Sequence, residues 1–163
     1  MQPVTLEGMV VRLEPLTLSH TDVIARVGLD PGLWGIATTR MDSSADVRMY
    51  IETALAAQQA GTALPFATVR RVSGEVVGST RFANYDAAHK RVEIGWTWVA
   101  GPWQRTAVNT EAKYLMFRHA FETLELNRVE LKTDLLNTVS QRAMERIGAT
   151  PSTTASSPPN GRA

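Results

Sequence analysis

The stretch Gln104-Arg105-Thr106-Ala107-Val108-Asn109 sets an amide, a guanidinium and a hydroxyl immediately before a run that reads as a helix from near Val108. The first turn of a helix leaves backbone N–H groups unpaired and carries the positive end of the helix dipole. No acid stands between Ala100 and Glu111 to neutralise that end. The segment therefore suits a phosphate or pyrophosphate, with Arg105 adding charge-assisted hydrogen bonds and Ala107 small enough to admit a ligand close to the backbone. The same residues also fit an ordinary helix start with a solvated arginine. Two nucleotide-binding signatures are missing, since no G-x-G-x-x-G follows a strand and no G-x-x-x-x-G-K-[ST] occurs.

A second chemical group precedes this loop in the strand-like run Val92 to Val99. Strand alternation puts Val92, Ile94, Trp96 and Trp98 on one face and Glu93, Gly95, Thr97 and Val99 on the other. Glu93 then points away from the heavy apolar side, toward whatever lies over the small Gly95. Further along, Asn137 stands just before a helical run and is suited to capping it.

What is missing narrows the chemistry. With no cysteine there are no disulfides, no thiolate nucleophile and no Cys-based zinc site. His20, His89 and His119 show no ligand spacing, and no metal is expected. Seventeen basic and sixteen acidic residues give a net charge of +1, which offers no field to attract nucleic acid or a membrane surface. No apolar run approaches a membrane span and the first residues lack a basic stretch leading into one, so a cytoplasmic location is expected.

The elements that must hold these groups follow from periodicity. Met9 to Thr17 alternates as a strand, and Thr17 or Ser19 can cap a helix through about Leu29. Pro31, Gly32 and Gly35 mark a loop. Ser43 to Ala60 reads as an amphipathic helix with Val47, Ile51, Leu55 and Ala56 on its apolar face and Gly61 as its stop. Three strands follow, Leu64 to Arg71, Gly74 to Asp86 and Lys90 to Ala100, as an antiparallel meander. Val108 to Leu124 is helical, Asn127 to Asp134 is a fourth core strand, and Thr138 to Gly148 is a closing helix. This order predicts an α+β fold with a mixed sheet in a single domain, residues 1–149. Residues 150–163 are rich in Pro, Ser and Thr and are expected to form a disordered tail.

The segments EIGWTWVAGPWQRTAVNTEAK and NRVELKTDLLNTVSQRAMERIGA together resemble the GNAT N-acetyltransferase superfamily, in its RimJ/RimL-like branch, and the likeness runs from Met9 to Ala149. The resemblance implies a mostly antiparallel mixed sheet flanked by helices, here truncated by the loss of the usual C-terminal strands. It implies that the loop Gln104, Arg105, Thr106, Ala107, Val108 and Asn109 wraps the pyrophosphate of acetyl-CoA, with Ala107 and Asn109 where the family pattern has glycine or a small residue. Trp98 and Val99 would splay from the next strand and pair with the pantetheine arm, and Asn137 would contact it further along.

The same resemblance implies direct acetyl transfer to a primary amine, a protein N-terminal α-amine or a small molecule. Glu93 would accept the amine proton. Ser140 would donate to the leaving thiolate, where many family members use a tyrosine. Trp34 and Arg40 would lie in the acceptor pocket. The alternative is a truncated, weakly active or inactive relative that binds CoA, or forms a homodimer through the sheet edge exposed at the fourth core strand.

Overall fold

The computed structural model describes residues 1–34 and 40–132, together with Arg142 and Glu145. Six strands form one sheet in chain order: β1 (Leu6–Glu7), β2 (Val11–Pro15), β3 (Leu64–Arg70), β4 (Val76–Asp86), β5 (Arg91–Val99) and β6 (Arg128–Leu131). Each neighbouring pair is antiparallel except β5 with β6, which run parallel because a helix crosses between them. The helices are α1 (Thr21–Gly28), α2 (Ser44–Gln59) and α3 (Ala107–Arg118). Among the described residues no helix is long and apolar enough to cross a membrane. Of the closing helix expected over Thr138 to Gly148, Arg142 and Glu145 are described and both are helical; the expected tail and the absence of further strands concern segments outside the described residues.

The sheet is buried on both faces. On one side Val11, Leu13, Phe66, Phe82, Val92 and Ile94 pack with Val108, Leu115 and Met116 of α3. On the other, Ala67, Val69 and Trp98 pack with Ile24 of α1 and with Val47, Tyr50 and Ile51 of α2.

Several local expectations need correction. The first strand is a hairpin, with the short β1 paired to β2, because the Gly8–Val10 turn breaks the run. The helix expected from Thr17 starts as a short 3-10 turn, Leu18–His20, before α1. In α2 the buried stripe is Val47, Tyr50, Ile51 and Ala54, and Ala56 is exposed. Ser43 caps this helix by accepting from the Asp46 N–H at 3.2 Å. The helix expected to end at Leu124 leaves α geometry at Arg118 and closes with a π turn, His119–Thr123.

One long-range contact fixes α3 against the sheet. The Glu111 carboxylate accepts from the N–H groups of Met9, Val10 and Val11 at 2.9, 2.7 and 2.7 Å. Gly8 makes room for it, since a Cβ there would run into Glu111 Oε2. Glu111→Ala leaves these donors without their acceptor and should lower stability by roughly 1–3 kcal/mol, read as a shift in urea midpoint at unchanged slope. An unchanged midpoint would show that water replaces the carboxylate at no cost.

Candidate active site

The chemistry-bearing residues gather around β5, and two bulges decide which way they face. Between the Arg81–Gly95 and Ser79–Trp98 pairs, β5 carries one extra residue, and Trp96 takes φ +49°. The extra residue flips the alternation beyond it. The expected shared face of Val92, Ile94, Trp96 and Trp98 is therefore wrong. Val92 and Ile94 pack toward α3, whereas Trp98 packs toward α1 and α2. A second bulge lies in β4, where Asn84 has φ +50° between the Ala83–Glu93 and Asp86–Arg91 pairs.

Glu93 faces away from α3, as its buried neighbours Val92 and Ile94 require. It is not a solvated strand residue: only 6% of its surface is exposed. The bulged Asn84 donates from Nδ2 to Glu93 Oε2 at 2.8 Å, and Lys132 Nζ lies 2.7 Å from the same oxygen. The other oxygen, Oε1, stands over Gly95. A cavity of about 500 Å³ opens beside this carboxylate and is lined by Asn84, Asp86, Arg91, Glu93, Glu130 and Lys132 among others.

Beyond Ile94 the outer edge of β5 has no strand against it among the described residues, because the ladder with β6 ends at the Ile94–Leu131 pair. Ala100 donates its N–H inward to Val77, so alternation turns the Val99 backbone outward. The Val99 carbonyl accepts from Gln104 Nε2 at 3.0 Å. Trp98 presents its carbonyl to β4 instead, close enough to Gly78 that any Cβ there would collide with it. Of the two residues expected to offer backbone groups at the edge, Val99 has its own turned that way.

The loop into α3 is exposed from Gln104 to Ala107. Arg105 takes φ +59° and forms no ion pair among the described residues. Thr106 caps the helix: its hydroxyl accepts from the Val108 N–H at 3.3 Å and donates to the Trp103 carbonyl at 2.7 Å. The first turn of α3 has no acid. Within it Asn109 Oδ1 is buried without a hydrogen-bond partner. An exposed, acid-free helix start beside an arginine with no ion pair among the described residues fits a phosphate-bearing ligand.

Trp34 is 5% exposed, donates from Nε1 to the Gly28 carbonyl at 2.8 Å and meets Trp98 edge-on at 5.7 Å. Its described contacts belong to the core. Arg40 is exposed and held by Asp42 at 2.8 Å. Asn137 and Ser140 lie outside the described residues.

Other polar groups at the bulge escaped the sequence reading. Arg81 is 5% exposed and lies between the rings of Tyr50 and Trp96, at 4.9 and 4.8 Å, with Nε unpartnered. Lys113 of α3 is buried and donates to Thr97 Oγ1 at 2.7 Å. Burial lowers its pKa from 10.5 to about 7. A lysine within a helix gives no pattern signal of this role.

A family model described as "Acetyltransferase (GNAT) domain" matches residues 11–150. The Bacillus subtilis (strain 168) protein named as a ribosomal N-acetyltransferase, YdaF, is 35% identical over 75 residues, which span 46% of this chain and 40% of that protein. A crystal structure from T. thermophilus, named as an acetyltransferase, aligns with TM-score 0.80 and 34% identity over 92% of this chain and 77% of that one. The apo structure of RimL, named as a ribosomal L7/L12 alpha-N-protein acetyltransferase, aligns with TM-score 0.78 and 16% identity, over 90% of this chain and 80% of its own.

Proposed function

Because the chain belongs to the GNAT acetyltransferase family, we propose that it transfers an acetyl group from acetyl-CoA to a primary amine, by direct attack in a ternary complex. The observation that carries this reading is the junction of β5 and α3. A strand edge without a partner among the described residues runs into an exposed, acid-free helix start with an unpaired Arg105.

Residues Gln104 to Asn109 bind the pyrophosphate through the first-turn N–H groups and Arg105. The outward Val99 backbone pairs with an amide of the pantetheine arm in strand fashion, in place of the present Gln104 bond. Glu93, buried over Gly95, takes the proton released when the amine attacks, directly or through one water. With no cysteine in the chain, an acetyl-cysteine intermediate is excluded and direct attack is the simpler course. Acetyl-CoA is the acetyl donor, and no step calls for a metal.

The acceptor best supported is a protein N-terminal α-amine, the group that RimL is named for modifying. Such an amine, with a reference pKa near 8 against about 10.4 for lysine, is neutralised by a modest base.

The test is calorimetric titration with CoA. Arg105→Ala should weaken binding by roughly 1–3 kcal/mol, the worth of a charge-assisted hydrogen bond in a partly desolvated site. Equal affinity in both proteins would remove Arg105 from the site. No heat in either would remove the CoA site itself.

A further inference from the structure

Two hydroxyl-bearing chains reach the bulge of β5, and they differ in what stands behind them. On the α2 side the Tyr50 hydroxyl donates to Ser79 Oγ at 3.0 Å, and Ser79 donates to the Phe66 carbonyl at 2.8 Å. That chain ends on a backbone acceptor and has no proton to give. On the α3 side Thr97 is exposed at the outer stretch of β5, and behind it stands Lys113, which donates to Thr97 Oγ1 at 2.7 Å. Thr80 Oγ1 is 2.8 Å from the same atom, and Thr80 also reaches Met116 Sδ at 3.6 Å. Lys113 meets no carboxylate among the described residues. With Lys113 as a donor, the Thr97 hydroxyl hydrogen is shared between Thr80 at 2.8 Å and the Gly95 carbonyl at 3.5 Å, and the longer of these is the one a group on the exposed side can displace.

We propose that Lys113 and Thr97 form a two-residue proton relay that protonates the sulfur of CoA as it leaves. The inference rests on the acetyl transfer and CoA site proposed above. A pantetheine arm laid against the outer edge of β5 from Val99 brings its sulfur back toward the bulge, where Thr97 is the exposed hydroxyl. Glu93 and Thr97 lie on opposite faces of the sheet, so the group that takes the amine proton cannot quench the one that serves the sulfur.

The amine nitrogen forms its bond to the acetyl carbon and loses a proton toward Glu93. The carbon–sulfur bond breaks with its electron pair going to sulfur. The Thr97 hydroxyl proton passes to sulfur as Lys113 passes one to Thr97. Solvent then takes the proton from Glu93 and returns one to Lys113 through Thr97. Burial, which brings its pKa to about 7, makes this ammonium a far better donor near neutrality than an exposed lysine.

Among the described residues of the packed elements no other charge is placed to compete for this role. Arg12 and Glu14 of β2 lie on the opposite face from Val11 and Leu13, as Arg81 of β4 does from Phe82. Arg70 of β3 is stacked on Trp103, Glu111 of α3 is bonded to the Met9–Val11 amides, and His119 packs on Phe82.

The test compares wild type with Lys113→Met, Thr97→Val and Thr97→Ser, first with bound CoA and no acceptor. The thiol of bound CoA, followed by thiolate absorbance, should ionise about one pH unit lower in wild type and Thr97→Ser than in the other two proteins. With an amine acceptor, kcat should fall at least ~10-fold in Lys113→Met and Thr97→Val and be retained in Thr97→Ser. The donor must be protonated, so wild-type kcat should carry a limb that falls as pH rises through about 7, and this limb should vanish in Lys113→Met. A purely structural lysine would leave both the thiol titration and the shape of the pH profile unmoved. Identical thiol ionisation in all four proteins overturns the relay while the transfer reading stands. Failure of wild type to bind CoA overturns both.

Discussion

Glu93→Gln should lower kcat by ~10² or more while leaving CoA affinity within experimental error of wild type. Glutamine keeps the shape of the side chain and can still accept from Asn84, which now donates to Oε2 at 2.8 Å, so the β4 bulge has no reason to rearrange. What is lost is an oxygen able to take a proton from the attacking amine. The partner charge makes a control available. Lys132 pairs with the same carboxylate at 2.7 Å, but its side chain is 64% exposed. Lys132→Met should therefore leave the base in place and change kcat far less than Glu93→Gln. The measurement is steady-state kcat at saturating acetyl-CoA for all three proteins. A rate for Glu93→Gln within about twofold of wild type would make Glu93 a structural partner of Asn84 and Lys132 only.

Lys113→Met should raise stability at pH 7, an unusual direction for a core substitution. In the unfolded chain this lysine holds its proton up to about 10.5, and in the folded chain only up to about 7. Between those values the unfolded state binds more protons, so unfolding becomes less favourable as pH rises through the window. Below about 7 the ammonium is buried in the folded state and its cost is at its largest, on the order of 5 kcal/mol. The Thr97 bond offsets part of that. Wild type should accordingly gain stability from pH 7 toward pH 9, and Lys113→Met should lack that gain and exceed wild type at pH 7. Urea unfolding at several pH values decides it. A variant less stable than wild type, with the same pH slope, would mean that the lysine is held charged and well satisfied. A chain that retains a buried amine at such a cost, beside an exposed hydroxyl, gives the relay its thermodynamic motive.

The sheet order and the start of α3 were legible because they follow from patterns of one kind each. The β3–β4–β5 meander announces itself by alternation and short turns, and α2 by a 3.6-residue stripe ending at Gly61. The loop before α3 was legible from the absence of acid. The orientation around Trp96 was not, because a bulge with positive φ on a tryptophan has no residue signature, and one extra residue reverses every side chain after it. The same blindness hid Asn84, which reaches Glu93 only through its own bulge. Lys113 was invisible for another reason: lysine on a helix is ordinarily solvated, and only the packing of α3 against Thr97 and Thr80 shows it buried. Trp34, which the resemblance places in the acceptor pocket, has its indole N–H bonded to Gly28 and its ring packed on Trp98, contacts that no sequence pattern announces.

The most direct test of the account is acetyl transfer itself. The 163-residue chain is incubated with acetyl-CoA labelled in the acetyl group and a panel of acceptors: peptides with free α-amines, the same peptides with the α-amine blocked and a lysine present, and small primary amines. The account predicts labelled product, formed in step with CoA release, on the free α-amine peptides, and a marked loss of that product with Glu93→Gln. CoA bound at the loop with no acetylated amine above the rate without protein, across the whole panel, would contradict it.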